Sequence, residues 1–224
     1  MCPNRLKQQI DFFLEVDKLK QITRQNYLAD GTRKENDAEH SWHLALMCML
    51  FGEYARGSEN LDLLRVIKMV LIHDLVEIDA GDTYCYDKAA AIGKAAREQR
   101  AADRLFKLLP SDQEQEFRTL WDEFEERQTP EACFAAALDR LQPLTLNYKT
   151  QGKSWQEHDI KLEQVLSQNS SIANGAPALW DFARQMITDA VDNGFLSKKR
   201  QEAGNKKQER PGTDEGTAPG TEPD

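Results

Sequence analysis

Residues 63–82 read LLRVIKMVLIHDLVEIDAGD, a helical apolar stripe that runs directly into two ionisable side chains. Ile67 and Val70 recur at helical spacing, which predicts an amphipathic helix. His73 and Asp74 follow its most apolar part, and Asp74 continues the apolar stripe. An inward carboxylate is costly unless it is paired, hydrogen-bonded or bound to a cation. We therefore expect a positively charged partner at Asp74.

Helical periodicity recurs along the rest of the chain. The first apolar stripe, which is expected to face the core, consists of Leu6, Ile10, Phe13 and Leu14. Later segments with the same periodicity are residues 95–109, 114–127, 131–141 and 178–195. No β-hairpin signal is evident, and residues 29–36 are expected to form a loop. The four tryptophans are expected to anchor the core. The sequence predicts one all-α domain, a multi-helix bundle over residues 1–196.

Composition separates the end of the chain from the rest and restricts the function. Residues 197–224 are rich in Gly, Pro, Lys, Glu and Thr and have no aromatic residue, which predicts a disordered tail. The chain carries 29 basic and 38 acidic residues, a net charge of -9, which disfavours binding to nucleic acid or to an anionic membrane. Without a signal-peptide pattern or a membrane-length apolar run, we expect a cytoplasmic protein.

Other residues with potential chemistry lie on different predicted helices. His40 stands one turn from Leu44 and is expected to face the core, although a lone inward histidine is usually structural. Asp139 interrupts the apolar run FAAALDRL, and Arg140, as the next residue, is expected to point elsewhere. Pro143 lies four residues after Asp139 and cannot donate to its carbonyl, so the helix is expected to kink or end there.

Two imidazoles and two carboxylates would form a mixed nitrogen and oxygen site for one divalent metal ion. Such a ligand set suits Mn, Co, Mg, Fe, Ni or Zn and does not choose among them. Four protein ligands on a six-coordinate ion leave positions for water and a substrate oxygen, as hydrolysis requires. Glu77 would share the face of this site if the helix continues, and Asp82 would lie at its edge after Gly81. An ordinary acidic helix end is the alternative explanation for both carboxylates.

The string HDxxExxxGD at 73–82, together with RKENDAEHS at 33–41, resembles the HD-domain metal-dependent phosphohydrolase superfamily, in its 5'-deoxynucleotidase branch. The resemblance covers roughly residues 5–150. It implies a helical HD-domain bundle with one divalent metal on four ligands: His40, His73, Asp74 and Asp139. It also implies that Glu77 and Asp82 are catalytic groups and that Arg24 contacts the substrate phosphate. Gln25 follows Arg24 where the nucleotidases have tryptophan, which leaves sugar and base specificity open.

The function that this resemblance implies is a phosphomonoesterase that releases phosphate from (deoxy)nucleoside 5'-monophosphates. It also allows a homodimer formed through an apolar helix face. Two alternatives stay open. One is hydrolysis of a phosphodiester, a triphosphate or an alarmone; the other is a non-catalytic helical interaction protein with a structural metal, which would not need Glu77 and Asp82. His43 is expected to pack rather than to bind metal, and Asn36 and Glu39 are expected to cap a helix.

Overall fold

The computed structural model describes residues 3–198, and helices account for most of them. The α-helices are α1 (Pro3–Val16), α2 (Asp37–Phe51), α3 (Leu63–Ile72), α4 (Glu77–Ala80), α5 (Lys94–Phe106), α6 (Ser111–Glu126), α7 (Pro130–Lys149), α8 (Lys153–Glu157), α9 (Leu162–Asn169), α10 (Ile172–Gly175) and α11 (Pro177–Asp192). Short 3-10 turns lie at Asp17–Gln21, Gly52–Tyr54, Ser58–Asn60 and His73–Val76. The all-α prediction is confirmed, whereas the predicted tail lies outside the described residues except for Ser197 and Lys198.

A small antiparallel sheet lies between α1 and α2. Strands β1 (Thr23–Tyr27) and β2 (Lys34–Asn36) pair with Thr23 opposite Asn36 and Tyr27 opposite Lys34. The expectation of a loop without a hairpin is therefore wrong here. Both strands consist almost entirely of polar residues, TRQNY and KEN, so they show no apolar alternation that could reveal a strand.

Helix α7 runs through the middle of the bundle. It packs against α2, α3, α6, α10 and α11, and its buried residues include Phe134, Leu138, Leu141 and Leu144. The helix begins with Thr129 as its cap, whose hydroxyl accepts a hydrogen bond from the backbone N–H of Ala132. It does not end near Pro143 but continues to Lys149, so the position of its predicted end is wrong. This central helix places the residues around position 139 deep in the fold.

The apolar stripe of α1 does not face the core. Leu6, Ile10, Phe13 and Leu14 are all exposed, and the buried residue of this helix is Phe12, which packs edge-on against Phe117. The core positions of Trp121 and Trp155 are confirmed, but Trp42 on α2 is 64% exposed. From Ser41 to Phe51, α2 contains no Asp, Glu, Lys or Arg. Periodicity therefore could not indicate which side of α2 is buried.

No helix within residues 3–198 combines the length and the apolar character needed to cross a membrane.

The close crossing of α10 and α7 gives a test of the packing. A Cβ atom on Gly175 would lie 2.1 Å from the carbonyl oxygen of Cys133, so backbone must move to admit it. We expect Gly175→Ala to lower the free energy of unfolding by about 2 kcal/mol or more. Urea unfolding followed by circular dichroism measures this change.

Gly52→Ala is the matched control. Gly52 has helical dihedral angles, and its added Cβ would meet only Leu63 Cδ1 at 3.4 Å. We expect no loss of stability from this change. Equal stability of the Gly175→Ala variant and the original protein would contradict the described crossing.

Candidate metal centre

Three parts of the fold bring the predicted metal ligands together. His40 comes from the second turn of α2, His73 and Asp74 come from the 3-10 turn after α3, and Asp139 comes from α7. His40, His73 and Asp74 are buried. Trp121 holds the turn after α3, because its indole N–H donates to the carbonyl oxygen of His73 over 3.2 Å.

A capping box fixes where α2 begins. The Asn36 side chain accepts from the Glu39 backbone N–H over 3.0 Å, and the Glu39 carboxylate accepts from the Asn36 backbone N–H over 3.2 Å. The predicted cap is confirmed. The helix starts at Asp37, so that His40 directly follows Glu39 of the capping box. The His40 side chain faces the interior and is fully buried.

The distances within this group suit a metal ion. His40 Nε2 lies 3.1 Å from Asp139 Oδ1, and His73 Nε2 lies 3.6 Å from the same oxygen. One ligand atom from each of these three residues lies within 4.8 Å of the other two. Metal–ligand bonds of about 2.0–2.2 Å place neighbouring ligand atoms at about this spacing. Three of the four predicted ligands thus form a ready donor set.

Asp74 adjoins this set but also serves an ion pair. Its Oδ1 lies 3.0 Å from His73 Nε2, and its Oδ2 lies 3.9 Å from His40 Nε2. Arg24 Nη1 donates to the same Oδ2 over 2.7 Å, which provides the positive partner expected for Asp74. Arg140 lies closer to the site than expected, with Nε 3.9 Å from Asp139 Oδ2, because the helix turns its long side chain back toward the carboxylate.

The hydrogen bonds of His73 show that the donor set fits a cation. Its Nδ1 donates to the Val70 carbonyl oxygen over 2.9 Å, which leaves a lone pair on Nε2. This nitrogen is buried and has no hydrogen-bond partner, although carboxylate oxygens surround it. Acceptor atoms that face one another without a proton between them need a positive charge. A divalent ion held by the predicted ligands would supply it.

Without a metal, a proton takes that place. Burial alone would lower the pKa of His73, but the charge of Asp74 and the close contacts with the Asp139 and Asp74 carboxylates raise it to about 10. Burial would raise the pKa of Asp139, but the adjacent imidazoles of His40 and His73 hold it well below its ordinary value. The metal-free site therefore stores a proton on His73 at neutral pH.

A second group of carboxylates lies beside the first. Asp37, Glu77 and Asp82 each offer an oxygen, and these oxygens lie within 4.8 Å of one another. Burial and the charge of Asp74 raise the pKa of Asp37 to about 7, against the opposing charge of Arg24. Burial is also the largest cause of the raised pKa of Glu77 and of Asp82. Sequence reasoning missed Asp37, because an acidic residue in a first helical turn is ordinary.

Arg24 links the two groups of carboxylates. Its Nη1 donates to Asp37 Oδ1 over 3.0 Å as well as to Asp74, and its own side chain is mostly buried. Carboxylates raise the pKa of this guanidinium despite burial, which opposes the rise. Its predicted contact with a substrate phosphate stays a prediction.

A cavity of about 280 Å³ opens beside these residues. Its lining combines Arg24 and acidic residues with other polar and aromatic residues: Asp74, Glu77, Asp82, Asp139, Tyr84, Tyr86, Lys94, Arg140, Asn147 and Asn169. Its volume is at the lower end for small-molecule sites. The cavity thus has room for one small ligand whose charged end meets the metal residues.

Comparisons with known proteins show the family to which this chain is similar. The family model described as HD domain matches residues 16–180. The 5'-deoxynucleotidase HDDC2 of Xenopus laevis is 30% identical over 142 residues, which are 63% of this chain and 68% of the relative. The protein of the same name from Dictyostelium discoideum is 29% identical over 162 residues, 69% of this chain and 84% of the relative.

Solved structures are also similar to this chain. A "predicted metal-dependent phosphohydrolase" from Magnetospirillum magnetotacticum is 48% identical, with a TM-score of 0.83, over 88% of this chain and 100% of that chain. The PH0347 protein from Pyrococcus horikoshii is 20% identical, with a TM-score of 0.58, over 82% of this chain and 99% of that chain. The second likeness concerns the fold alone.

The stored proton gives a test of metal binding. Because the pKa of His73 is raised to about 10, its ring is protonated at pH 8, and a metal that binds Nε2 must displace the proton. We expect Mn²⁺ or Co²⁺ to release about one proton or more per metal bound. Calorimetry in two buffers of different ionisation enthalpy measures this number.

The His73→Gln variant serves as the comparison, because it lacks this proton. It should bind metal more weakly and release fewer protons. Tight metal binding by the original protein without proton release at pH 8 would contradict the described site.

Proposed function

This chain belongs to the HD-domain family, and we propose that it is a metal-dependent phosphohydrolase that releases phosphate from deoxynucleoside 5'-monophosphates. One observation carries the proposal. The imidazole and carboxylate ligand atoms of His40, His73 and Asp139 converge on one point. Asp139, together with Asp74, also lines a cavity sized for a single small ligand. Arg24, Glu77 and Asp82 line the same cavity.

A divalent metal held by His40, His73, Asp74 and Asp139 would supply positive charge to phosphate oxygens and lower the pKa of a bound water. The chain's own residues provide the remaining functions. Arg24 offers a guanidinium, a group suited to phosphate oxygens, and holds the carboxylates around it in place. The buried setting of the site strengthens each of these electrostatic interactions.

Glu77 and Asp82 are proposed as the proton-transfer groups. Burial, as the largest cause, and neighbouring carboxylates raise the pKa of each, which favours the uptake of a proton by either group. One of them can accept a proton from water while the other donates to the departing 5'-oxygen. Because they belong to the same group of carboxylates, they can exchange these roles.

The nucleotide substrate is supported by the relatives and by the size of the cavity. The relatives from Xenopus laevis and Dictyostelium discoideum are both named 5'-deoxynucleotidases. A cavity of about 280 Å³ favours a mononucleotide over a dinucleotide. The cytoplasmic location and the absence of nucleic-acid and membrane partners stay predictions from the sequence.

We propose further that two copies associate through the outer face of α2. Trp42, Met49 and Leu50 protrude from this face, and all three are exposed. A helix that is apolar on every side is usually covered. Beside it lies an apolar groove of about 500 Å³, whose lining includes Tyr54 and Phe182. A ridge next to a groove on one surface suits a two-fold interface, in which each ridge fills the other's groove.

Phosphate release from a panel of esters tests the proposed activity. We expect metal-dependent release from deoxynucleoside 5'-monophosphates and little from triphosphates or cyclic dinucleotides. Asp74→Ala should lose both bound metal and turnover, while Glu77→Gln should keep the metal and lose about 100-fold or more in kcat. Metal analysis and phosphate release are measured on the same samples.

Asp189→Ala on the exposed side of α11 is the matched control and should retain full activity. Full activity of Asp74→Ala would refute the proposal. Phosphate release from another ester class alone would show that the substrate is that ester and not a deoxynucleoside 5'-monophosphate. No release from any ester, together with a lower unfolding temperature after chelation, would favour a structural metal.

The association has its own test. Trp42→Glu places a charge at the centre of the proposed interface and should convert a dimer into a monomer by multi-angle light scattering. Leu64→Glu is the control, because Leu64 is equally exposed on α3, away from this face. A monomeric original protein, or a dimer unaffected by Trp42→Glu, would contradict this interface.

A further inference from the structure

A buried hydrogen-bond network lies on the side of His40 that faces away from the metal residues. Gln142 Oε1 lies 3.1 Å from His40 Nδ1, and Gln142 Nε2 donates to Glu35 Oε1 over 2.7 Å. Asn26 Nδ2 donates to the other oxygen of Glu35 over 2.8 Å. These four side chains come from β1, β2, α2 and α7 and are all buried, with Gln142 1% and Glu35 2% exposed.

Glu35 is an unusual residue to keep in this position. Within residues 3–198 no lysine or arginine forms an ion pair with it, and its nearest ionisable partner is His40, with Nδ1 3.8 Å from Oε2. A buried carboxylate is costly, and an apolar residue of similar size would often be as stable or more so. Two amide donors offset this cost by hydrogen bonds to both oxygens. The carboxylate therefore calls for a function other than stability.

The charge of Glu35 fixes the orientation of the Gln142 amide. An ionised carboxylate only accepts hydrogen bonds, so the amide nitrogen must face it. The opposite orientation would place two acceptor oxygens 2.7 Å apart. With its nitrogen toward Glu35, Gln142 presents its oxygen to His40, and that oxygen can only accept.

The amide orientation in turn fixes the His40 ring. Its Nδ1 must carry the proton that it donates to Gln142, so Nε2 keeps a lone pair. That lone pair lies 3.1 Å from Asp139 Oδ1, where the metal ligands converge. The other amide proton of Gln142 faces His43 Nδ1 at 3.2 Å, so His43 accepts there and carries its proton on Nε2. The two histidines of α2 thus take opposite tautomers.

We propose that Glu35 and Gln142 are positioning residues that hold His40 in the tautomer and orientation required of a metal ligand. The ring of His73 is oriented in the same way by the backbone carbonyl of Val70, which accepts from its Nδ1. His40 instead depends on two side chains from outside its own helix. Outer partners of this kind typically affect metal affinity 10–100-fold. The inference rests on the proposed function only in taking His40 as a ligand.

The proposal also gives the small sheet a role. Its two buried residues are Asn26 on β1 and Glu35 on β2, and both belong to the network. The sheet therefore carries a carboxylate and its amide partner to the far side of His40. A polar hairpin with little apolar burial is explained by this task.

Metal affinity of three variants tests the proposal. Gln142→Leu removes the acceptor for His40 and should weaken Zn²⁺ or Mn²⁺ binding about 10–100-fold in chelator competition. Glu35→Gln frees the Gln142 amide to turn over and should weaken binding less. Combining Glu35→Gln with Gln142→Glu exchanges the two groups: the new carboxylate accepts from His40 Nδ1, and the new amide donates to it. This exchange should restore affinity to within a few-fold of the original.

Nitrogen-15 spectra of the histidine rings in metal-free protein at pH 8 provide a second measurement. We expect a proton on Nδ1 of His40 in the original protein and a smaller fraction of Nδ1–H in Gln142→Leu. Gln9→Leu is the matched control, because it removes an amide hydrogen bond between Gln9 and Gln113, outside the network. It should leave affinity and tautomer unchanged.

Unaltered affinity in a folded Gln142→Leu variant, or a His40 Nδ1 without a proton in the original protein, would overturn the proposal. If Gln142→Leu does not fold, the exchange variant decides, because a folded exchange variant with weak binding also overturns it. The readouts separate this inference from the proposed activity. Changed affinity in a protein that hydrolyses no ester would refute the activity and leave the positioning role supported.

Discussion

Compensation of buried negative charge is the constraint on which the structure depends. Asp74 and Asp139 lie beside two imidazoles in the interior, and a second carboxylate group adjoins them. Uncompensated, such charges would destabilise any fold by several kcal/mol each. The chain meets this with Arg24, with a proton on His73, and with ligand atoms arranged for a cation. Stability and chemistry thus share one set of contacts, and a change in metal occupancy alters both.

Two different devices orient the two imidazoles of the site. His73 uses the carbonyl of its own helix, an interaction that almost any sequence of α3 would preserve. His40 uses an amide and a carboxylate from α7 and β2, so its orientation depends on specific side chains. The site therefore has one imidazole oriented by the backbone and one oriented by tertiary contacts. Formation of the His40 half requires the sheet, α2 and α7 to be assembled.

The sequence predicted those site residues that break an apolar pattern. His73, Asp74 and Asp139 interrupt runs of core residues, so their burial could be predicted from the apolar pattern. The start of α2 could be predicted because Asn36 and Glu39 have the spacing of a capping box. Glu35 and Asp37 lie in a polar stretch where acidic residues are expected at the surface. Their burial arises from contacts with Arg24 and Asn26, across the small sheet, and with Gln142, which is distant in sequence. The prediction that the apolar stripe of α1 faces the core was wrong for a different reason. Periodicity shows that one face of a helix is apolar, but it does not show what covers that face.

Helix α7 holds the His40 ring from both edges. Asp139 lies 3.1 Å from one ring nitrogen and Gln142 lies 3.1 Å from the other, and the two residues are one turn apart on the same helix. The imidazole is thus held at both ring nitrogens by a single helical turn. A translation or rotation of α7 would therefore weaken both contacts with His40 at the same time. Anyone who transplanted this site into another scaffold would have to move this helical turn as a rigid piece, with its spacing intact.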